Sequence, residues 1–195
     1  MHDLLFQIGV GLVLLPILIV QDAIGVTAFR KTWDKRILII MLPGAILGVG
    51  LGWLFATSVS ADAVLAAVGA ISILFGLYRL WAEWGGRIAA ARNSPAWVGG
   101  LFGIATGFTS QIAHAGGPPY QMWVMPRGLP RDVFIGTTAI FFAALNWIKV
   151  PAYVALGQFT RGNLLATAVL LPLAILSSLA GIWLVRRARA PHLKP

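Results

Sequence analysis

Six apolar runs, each close to the length of a membrane-spanning helix, divide this sequence. They cover approximately residues 4–29, 37–57, 63–81, 96–114, 133–156 and 164–185. A helix needs about 20 apolar residues to cross the hydrocarbon core of a bilayer. Only 11% of the 195 residues are charged, whereas soluble domains have about 25%. We therefore predict an all-α polytopic membrane protein, with the lipid bilayer as its main partner.

Charge and composition exclude several other classes of protein. The net charge of +9 could indicate nucleic-acid binding, but the basic residues form short clusters at the ends of apolar runs, as in cytoplasmic loops. The absence of cysteine excludes disulfides and thiolate ligands. His2, His114 and His192 are too scattered for a metal motif. We find no cofactor motif, catalytic constellation or cleavable signal peptide, so the sequence predicts no enzyme and no nucleic-acid partner.

The stretch 107–127, GFTSQIAHAGGPPYQMWVMPR, is polar where its surroundings are apolar. The run Gly116-Gly117-Pro118-Pro119 is predicted to stop the helix, because proline lacks an N–H and glycine tolerates unusual backbone angles. Unwound backbone survives at bilayer depth only where protein buries it or where it lines a watery cavity. Transporters often bind small ions at such broken helices. This stretch is therefore our predicted substrate site.

A polar stripe on the fifth apolar run is expected to face the same site. Thr138, Asn146 and Lys149 fall within an arc of about 80° on a helix, and such stripes avoid lipid. Lys149 has two interpretations: it attracts an anion, or its stem reaches the nearer membrane surface. Asn146 is equally suited to binding substrate and to bonding across helices. Asp22 is expected to pair with Arg30 or Lys35 instead.

The polar residues before the break also have two interpretations. They form a ring of donors for an oxyanion, assisted by free backbone N–H groups, or they cap the broken backbone. A proton relay through His114 is a further hypothesis, because histidine titrates near neutral pH. The predicted substrate-binding residues are Thr109, Ser110, Gln111, His114, Gly116, Gly117, Pro118, Thr138, Asn146 and Lys149.

Loop charge predicts how the chain crosses the membrane. Residues 30–36 carry four basic side chains and one acidic one, which makes that loop cytoplasmic. If 96–114 crosses once, Arg127, Arg131 and the basic C-terminus all fall outside. If it forms a re-entrant hairpin with 120–125, they all fall inside. We therefore predict about six spans plus a broken hairpin in the cell (cytoplasmic) membrane, with a cytoplasmic C-terminus.

Two internal similarities indicate a repeat. Residues 42–52 and 171–181 agree at six of eleven positions, and IGVTA at 24–28 echoes IGTTA at 135–139. With the hairpin, the copies run in opposite senses, which is the inverted-repeat architecture of secondary transporters. We predict one transmembrane domain with the following parts: repeat 1 at about 4–82, a cytoplasmic linker at 83–95, repeat 2 at 96–186 and a basic tail at 187–195. Gly44, Gly48 and Gly52 predict a smooth face for helix packing.

These elements together resemble the sulfite exporter TauE/SafE family of membrane permeases. The resemblance is carried by the break at 107–126, Leu42-Pro43-Gly44-Ala45, Gly136-Thr137-Thr138, Asn146, Lys149, Tyr153, Gly157, Pro172 and Gly181. It implies transport of a small anion, such as sulfite, a sulfonate or a related organosulfur compound, coupled to an ion gradient. A passive anion channel and a non-transporting membrane fragment are the alternative hypotheses.

The sequence departs from the family pattern in two respects. The family usually has about eight membrane segments, and its first glycine-rich broken segment and its last helix have no counterpart here. In addition, Ala113-His114-Ala115-Gly116-Gly117 stands where a longer glycine run is common. We expect either a piece of a longer protein or a reduced form that completes its site as a homo-oligomer.

Overall fold

The computed structural model describes residues 2–56, 60–84, 94–155 and 161–187. Within these ranges the chain forms helices and short connections, with no strand. The helices are α1 (His2–Phe29), α2 (Lys35–Ala56), α3 (Ala61–Glu83), α4 (Ala96–Ala113), α5 (Gly117–Val124), α6 (Arg131–Ala155) and α7 (Arg161–Arg187), with a 3-10 turn at Met125–Arg127. The predicted all-α class is confirmed.

Each of the six predicted apolar runs forms one helix, with ends shifted by a few residues. At the start of α2, the Asp34 carboxylate accepts hydrogen bonds from the backbone N–H groups of Arg36 (2.8 Å) and Ile37 (3.2 Å). Such a cap satisfies donors that a helix N-terminus leaves unpaired. Polar residues that hydropathy assigns to the loop therefore become the first turn of the helix.

Three of the described helices are long and apolar enough to cross a membrane by length and composition. They are Lys35–Phe55, Arg131–Pro151 and Arg161–Arg187. Large apolar side chains on α2, α3 and α7 are exposed, including Ile46, Leu47, Leu54, Ile73, Leu74, Leu165, Val169 and Leu173. An exterior of this kind suits lipid rather than water.

Helices α2 and α4 pack backbone to backbone along a seam of glycines, which we call the glycine seam (Gly44, Gly48, Gly103 and Gly107). Gly44 and Gly48 of α2 lie against main-chain oxygens of α4, and a Cβ at either position would overlap them. Gly103 and Gly107 of α4 lie in the same way against main-chain oxygens of α2. Small residues four apart permit this close approach in membrane helices. The predicted packing role of the glycine face is confirmed.

Helix α5 folds back along the first half of α4. Gly116, just before α5, lies against the main-chain oxygen of Thr106, 3.0 Å from where a Cβ would stand. Trp123, near the end of α5, packs against Gly99. The Arg127 guanidinium then donates to the Ser94 hydroxyl at 3.3 Å. The two helices are thus antiparallel, and the chain leaves α5 beside the start of α4.

The break between α4 and α5 is shorter than predicted. Residues 114–116 lie outside the helices, but Gly117, Pro118 and Pro119 form the first turn of α5. Proline suits this position, because its fixed φ is helical and its missing N–H would have no partner in a first turn. The prolines therefore begin a helix here, whereas the sequence predicted that they only end one.

Helices α1 and α6 are antiparallel neighbours, and the α1–α2 loop packs on the start of α6. The backbone N–H of Asp34 donates to Thr137 Oγ1 at 2.8 Å. Gly136 lies against the main-chain oxygens of the loop, so that a Cβ would not fit there. Further along, Gly25 lies beside Ala139. The two similar pentapeptides found in the sequence therefore face each other across this helix pair.

Candidate functional site

A polar cavity of about 240 Å3 lies where α4 ends, between α1 and α6. Its size is below the roughly 300 Å3 at which sites for drug-sized ligands begin, so it suits a small solute. Its lining residues are Leu18, Asp22, Ser110, His114, Thr138, Ala139, Phe142, Asn146 and Lys149. Most of them are polar, although the surrounding helices are apolar.

Lys149 brings a positive charge into this cavity. Its side chain is 1% exposed, and Nζ donates to Ser110 Oγ at 3.1 Å and reaches Ser110 O at 3.5 Å. The alternative in which Lys149 extends to the membrane surface is therefore wrong. Its face of α6 is turned inward, and the end of α4 offers a carbonyl group there. Both hydrogen-bond acceptors are neutral, so the ammonium can still bind an anion.

Asp22 is part of the cavity, contrary to its predicted pairing with Arg30 or Lys35. Helix α1 continues to Phe29, which places Asp22 two turns, or about 12 Å, before the basic loop. Asn146 Nδ2 donates to Asp22 Oδ2 at 2.6 Å. Asn146 therefore bonds across helices, as one of its two interpretations predicted, and it also lines the cavity.

His114 ends α4 with its backbone and faces the cavity with its side chain. Its φ of 53° is left-handed, and its N–H donates to Ser110 O at 3.2 Å, a geometry common at helix C-termini. The imidazole packs edge-on against Tyr153 at a centroid distance of 6.1 Å. Its buried Nε2 has no hydrogen-bond partner among the described residues.

Thr138 closes the cavity on the side of α5. Its Oγ1 lies 2.7 Å from the carbonyl oxygen of Phe134 and 3.2 Å from the hydroxyl of Tyr120. Tyr120 is fully buried, so this contact links α5 to α6 inside the protein. The cavity brings together five of the ten predicted site residues: Ser110, His114, Thr138, Asn146 and Lys149.

The other five predicted site residues do not line the cavity. Thr109 donates to Ala105 O at 2.8 Å within α4. Gln111 lies against Gly52 of α2, with a buried Oε1 that has no partner in the described structure. Gly116, Gly117 and Pro118 form the turn into α5. The Thr109 hydroxyl therefore bonds inside α4 and does not cap the break, and the last three residues form the turn that follows α4.

Sequence reasoning missed four lining residues, namely Leu18, Asp22, Ala139 and Phe142. A signal for Asp22 was present in the pentapeptide similarity. If IGVTA and IGTTA meet at a two-fold axis between antiparallel helices, α1 and α6 are neighbours. Asp22, three residues before Gly25, then lies one turn from that contact and faces α6.

The site as a whole gathers charged and polar side chains around a small space. It presents one ammonium, one carboxylate, two hydroxyls, an amide and an imidazole around a space between the helices. Among the residues that the structure describes, no three His, Asp or Glu side chains gather as metal ligands. The arrangement provides hydrogen-bond donors and charge.

The helical fold, its apolar exterior and the charged and polar side chains gathered between its helices define a polytopic helical membrane protein. The model of the sulfite exporter TauE/SafE family matches residues 4–195. The chain belongs to this family, whose members are membrane transporters rather than enzymes, and the resemblance seen in the sequence is confirmed. No curated protein and no solved structure matched the chain.

Proposed function

We propose that this protein is a secondary carrier that moves a small sulfur-containing anion, such as sulfite or a short sulfonate, across the cytoplasmic membrane. The observation that carries the proposal is the buried Lys149 ammonium, held on Ser110 in a cavity at the end of a broken helix. Intramembrane charges are rare and typically mark ion or substrate paths. The family membership supports the same substrate class.

Binding would use the groups that converge on the cavity. The anion's oxygens would accept hydrogen bonds from Lys149 Nζ and the Ser110 hydroxyl, in place of part of its hydration shell. Bonds of this kind to charged groups are roughly twice as strong as neutral ones. His114, Thr138 and Asn146 would contact the rest of the anion. Gly116, Gly117, Pro118, Thr109 and Gln111 would contribute by holding the break open.

Five membrane-spanning helices (α1, α2, α3, α6 and α7) plus a re-entrant hairpin of α4 and α5 form the proposed topology. This is one span fewer than the sequence predicted, because α4 belongs to the hairpin. The contact of Arg127 with Ser94 supports the hairpin. Ser94 precedes α4 and Arg127 follows α5, so the contact brings the two ends of the hairpin together. The hydrogen bond from Asp34 to Thr137 brings the basic loop 30–36 to the same end. The positive-inside rule makes that end cytoplasmic, together with the C-terminus. The antiparallel α1–α6 pair supports two inverted repeats within one domain.

Radiolabelled sulfite flux into proteoliposomes tests the function. We expect saturable uptake by the unmutated protein and counterflow when the vesicles are preloaded with unlabelled sulfite. Lys149→Ala should raise KM for sulfite about 10- to 100-fold if one charge-assisted bond of about 1.5–3 kcal/mol is lost. Complete loss of uptake would also agree with the proposal. Lys31→Ala, which removes an exposed lysine, is the matched control and should behave like the unmutated protein.

The same assay separates the proposed carrier from its alternatives. Flux that does not saturate and shows no counterflow would indicate a channel. No flux of sulfite, a taurine-like sulfonate or sulfoacetate in the unmutated protein would contradict transport of this substrate class. Equal flux in Lys149→Ala and in the control would show that the substrate does not bind in this cavity.

A further inference from the structure

The carboxylate of Asp22 gives the cavity a second ionisable group opposite Lys149. It lines the same space, and its Oδ2 is held at 2.6 Å by the Asn146 amide. With both groups ionised the empty site has one negative and one positive charge, which sum to zero. A carboxylate is a poor neighbour for a bound anion, because two like charges in an interior of low dielectric repel strongly. Its presence in an anion site therefore requires an explanation.

We infer that Asp22 binds one proton together with the anion and releases it with the anion, so that Asp22 couples transport to the proton gradient. The inference rests on the proposed function and adds the coupling ion and its residue. The proton is taken from water on one side and returned to water on the other, and no bond to the substrate is made or broken. The loaded site, with neutral Asp22, ammonium and monoanion, again has zero net charge.

The coupling follows from charge balance. An arriving anion takes the Lys149 ammonium as its partner, and its own charge makes the ionised form of Asp22 less favourable. Anion binding thus promotes proton binding, and by linkage a bound proton promotes anion binding to the same extent. The empty site and the site that holds both the proton and the anion are each neutral. They avoid an uncompensated charge inside the protein, which would be costly.

The contacts of Asp22 favour a proton over a sodium ion. Its neighbour in α6 presents an N–H donor, whereas a hard cation needs oxygen ligands. Lys149 faces the same cavity and repels a metal cation. Two other titratable side chains lie near Asp22. His114 lines the cavity from the end of α4, and Tyr153 of α6 packs against the His114 ring. On α7, Arg186 contacts α1 at Ala28 O, about two turns from Asp22.

His114 is a less suitable proton carrier than Asp22. A proton on its imidazole would place a second positive charge beside Lys149, in a loaded site that still contains the ionised Asp22. Moreover, the cavity contains one described carboxylate, that of Asp22, whose protonation removes a negative charge. A proton on His114 would give the loaded site the same zero net charge, but it would leave the Asp22 carboxylate ionised beside the anion. Protonation of Asp22 removes that repulsion, so Asp22 is the more suitable carrier.

The experiment compares two fluxes of labelled sulfite from proteoliposomes of the full chain, at equal pH on both sides. Net efflux requires the empty carrier to release its proton and return, whereas exchange against external sulfite does not. In Asp22→Asn the empty site keeps an unbalanced Lys149 charge, so we expect net efflux to fall about tenfold or more while exchange continues. The substrate's own titration affects both fluxes alike and cancels in their ratio.

The pH dependence of this ratio identifies the proton. In the unmutated protein, the ratio of net efflux to exchange should rise with pH, because proton release resets the carrier. In Asp22→Asn the ratio should be low and independent of pH, and Asp22→Glu should restore the dependence. Asp62→Asn, which removes an exposed carboxylate at the start of α3, is the matched control and should retain both fluxes. Gel filtration verifies that each variant is folded.

Three outcomes would overturn the inference. In the first, Asp22→Asn keeps the unmutated ratio and its pH dependence. In the second, folded Asp22→Asn loses exchange together with net efflux, which would make Asp22 a direct substrate contact. In the third, net efflux requires sodium. If the unmutated protein shows no exchange with any anion tested, the proposed function itself fails, and this result differs from all three.

Discussion

At the scale of single residues, His114 shows how one position serves both the backbone and the cavity. Its left-handed φ of 53° turns the chain out of α4, while its side chain lines the cavity beside Ser110 and Lys149. A left-handed conformation costs an L-residue roughly 1–2 kcal/mol, and glycine avoids this cost. Glycine would therefore suit the turn better, and histidine here adds a side chain to the site.

Substitutions at His114 should separate these two roles. His114→Gly keeps the turn without strain, so we expect an unchanged or slightly higher melting temperature in detergent, with altered sulfite KM. His114→Val adds a branched side chain in a left-handed conformation and should destabilise the protein by about 1–2 kcal/mol. Equal melting temperatures for the two variants would show that the turn does not depend on residue 114.

The Tyr120 hydroxyl offers a second test at this scale. It is buried and lies 3.2 Å from Thr138 Oγ1. Tyr120→Phe should destabilise the protein by about 1 kcal/mol, the usual net value of one hydrogen bond, as measured by thermal unfolding. Tyr78→Phe, on the peripheral helix α3, is the control. No difference between the two variants would show that the contact between α5 and α6 does not depend on this hydroxyl.

At the scale of helices, the glycine seam decides how α4 is held. Because main chain lies on main chain, the seam has no room for side chains to rearrange. Gly50, also on α2, has no atom within 4 Å of where its Cβ would stand. Gly48, which lies in the seam, and Gly50, two residues later on α2, therefore have opposite environments.

We predict opposite effects for the same substitution at these two glycines. Gly48→Ala would push a Cβ into the Ile104 main-chain oxygen and should destabilise the protein by about 1–3 kcal/mol. Gly50→Ala should leave stability unchanged or raise it by up to about 1 kcal/mol, because alanine favours helix. Melting temperatures in detergent measure both effects. A Gly48→Ala protein as stable as Gly50→Ala would contradict the close approach of α2 and α4.

The sequence was sufficient for the helices and for half of the site. Hydropathy predicts helices and not their starts, because capping by Asp34 depends on a single carboxylate. The stripe of Thr138, Asn146 and Lys149 was found because helical periodicity alone puts these residues on one face. Asp22 was missed because its importance depends on which helix lies opposite α1. The role of Pro118 and Pro119 was missed because proline both ends and begins helices.

At the scale of the whole molecule, the described helices form two groups that meet at the cavity. Helices α2, α4 and α5 pack through the glycine seam and the fold-back of α5, and α1 packs with α6 and α7. Helix α6 also contacts α2, and buried Phe141 and Leu145 of α6 share a core with Met41 and Trp123. The α1–α2 loop and the start of α6 lie together at one end.

The proposed topology can be tested with single cysteines, because the chain has none of its own. We expect Lys31→Cys and Pro130→Cys to react with a membrane-impermeant maleimide only after the cells are permeabilised. Asp62→Cys, at the start of α3, should react in intact cells and is the control for labelling from outside. Labelling of Pro130→Cys in intact cells would mean that α4 and α5 together cross the membrane once, and would contradict the hairpin.

The glycine seam also has a mechanical consequence. The proposed carrier would have to open its site to each side of the membrane in turn, and some of its helices would have to move past others to do so. Backbones locked together by glycines resist sliding, so α2 and α4 should travel as one rigid body and carry Ser110 and the break with them. The α1–α6 contact is bridged across the cavity by the hydrogen bond from Asn146 to Asp22. We therefore expect the gate to form at the cavity, where this hydrogen bond can be exchanged as the site empties and fills, while the tight contacts at Gly136 and Gly25 act as its hinge.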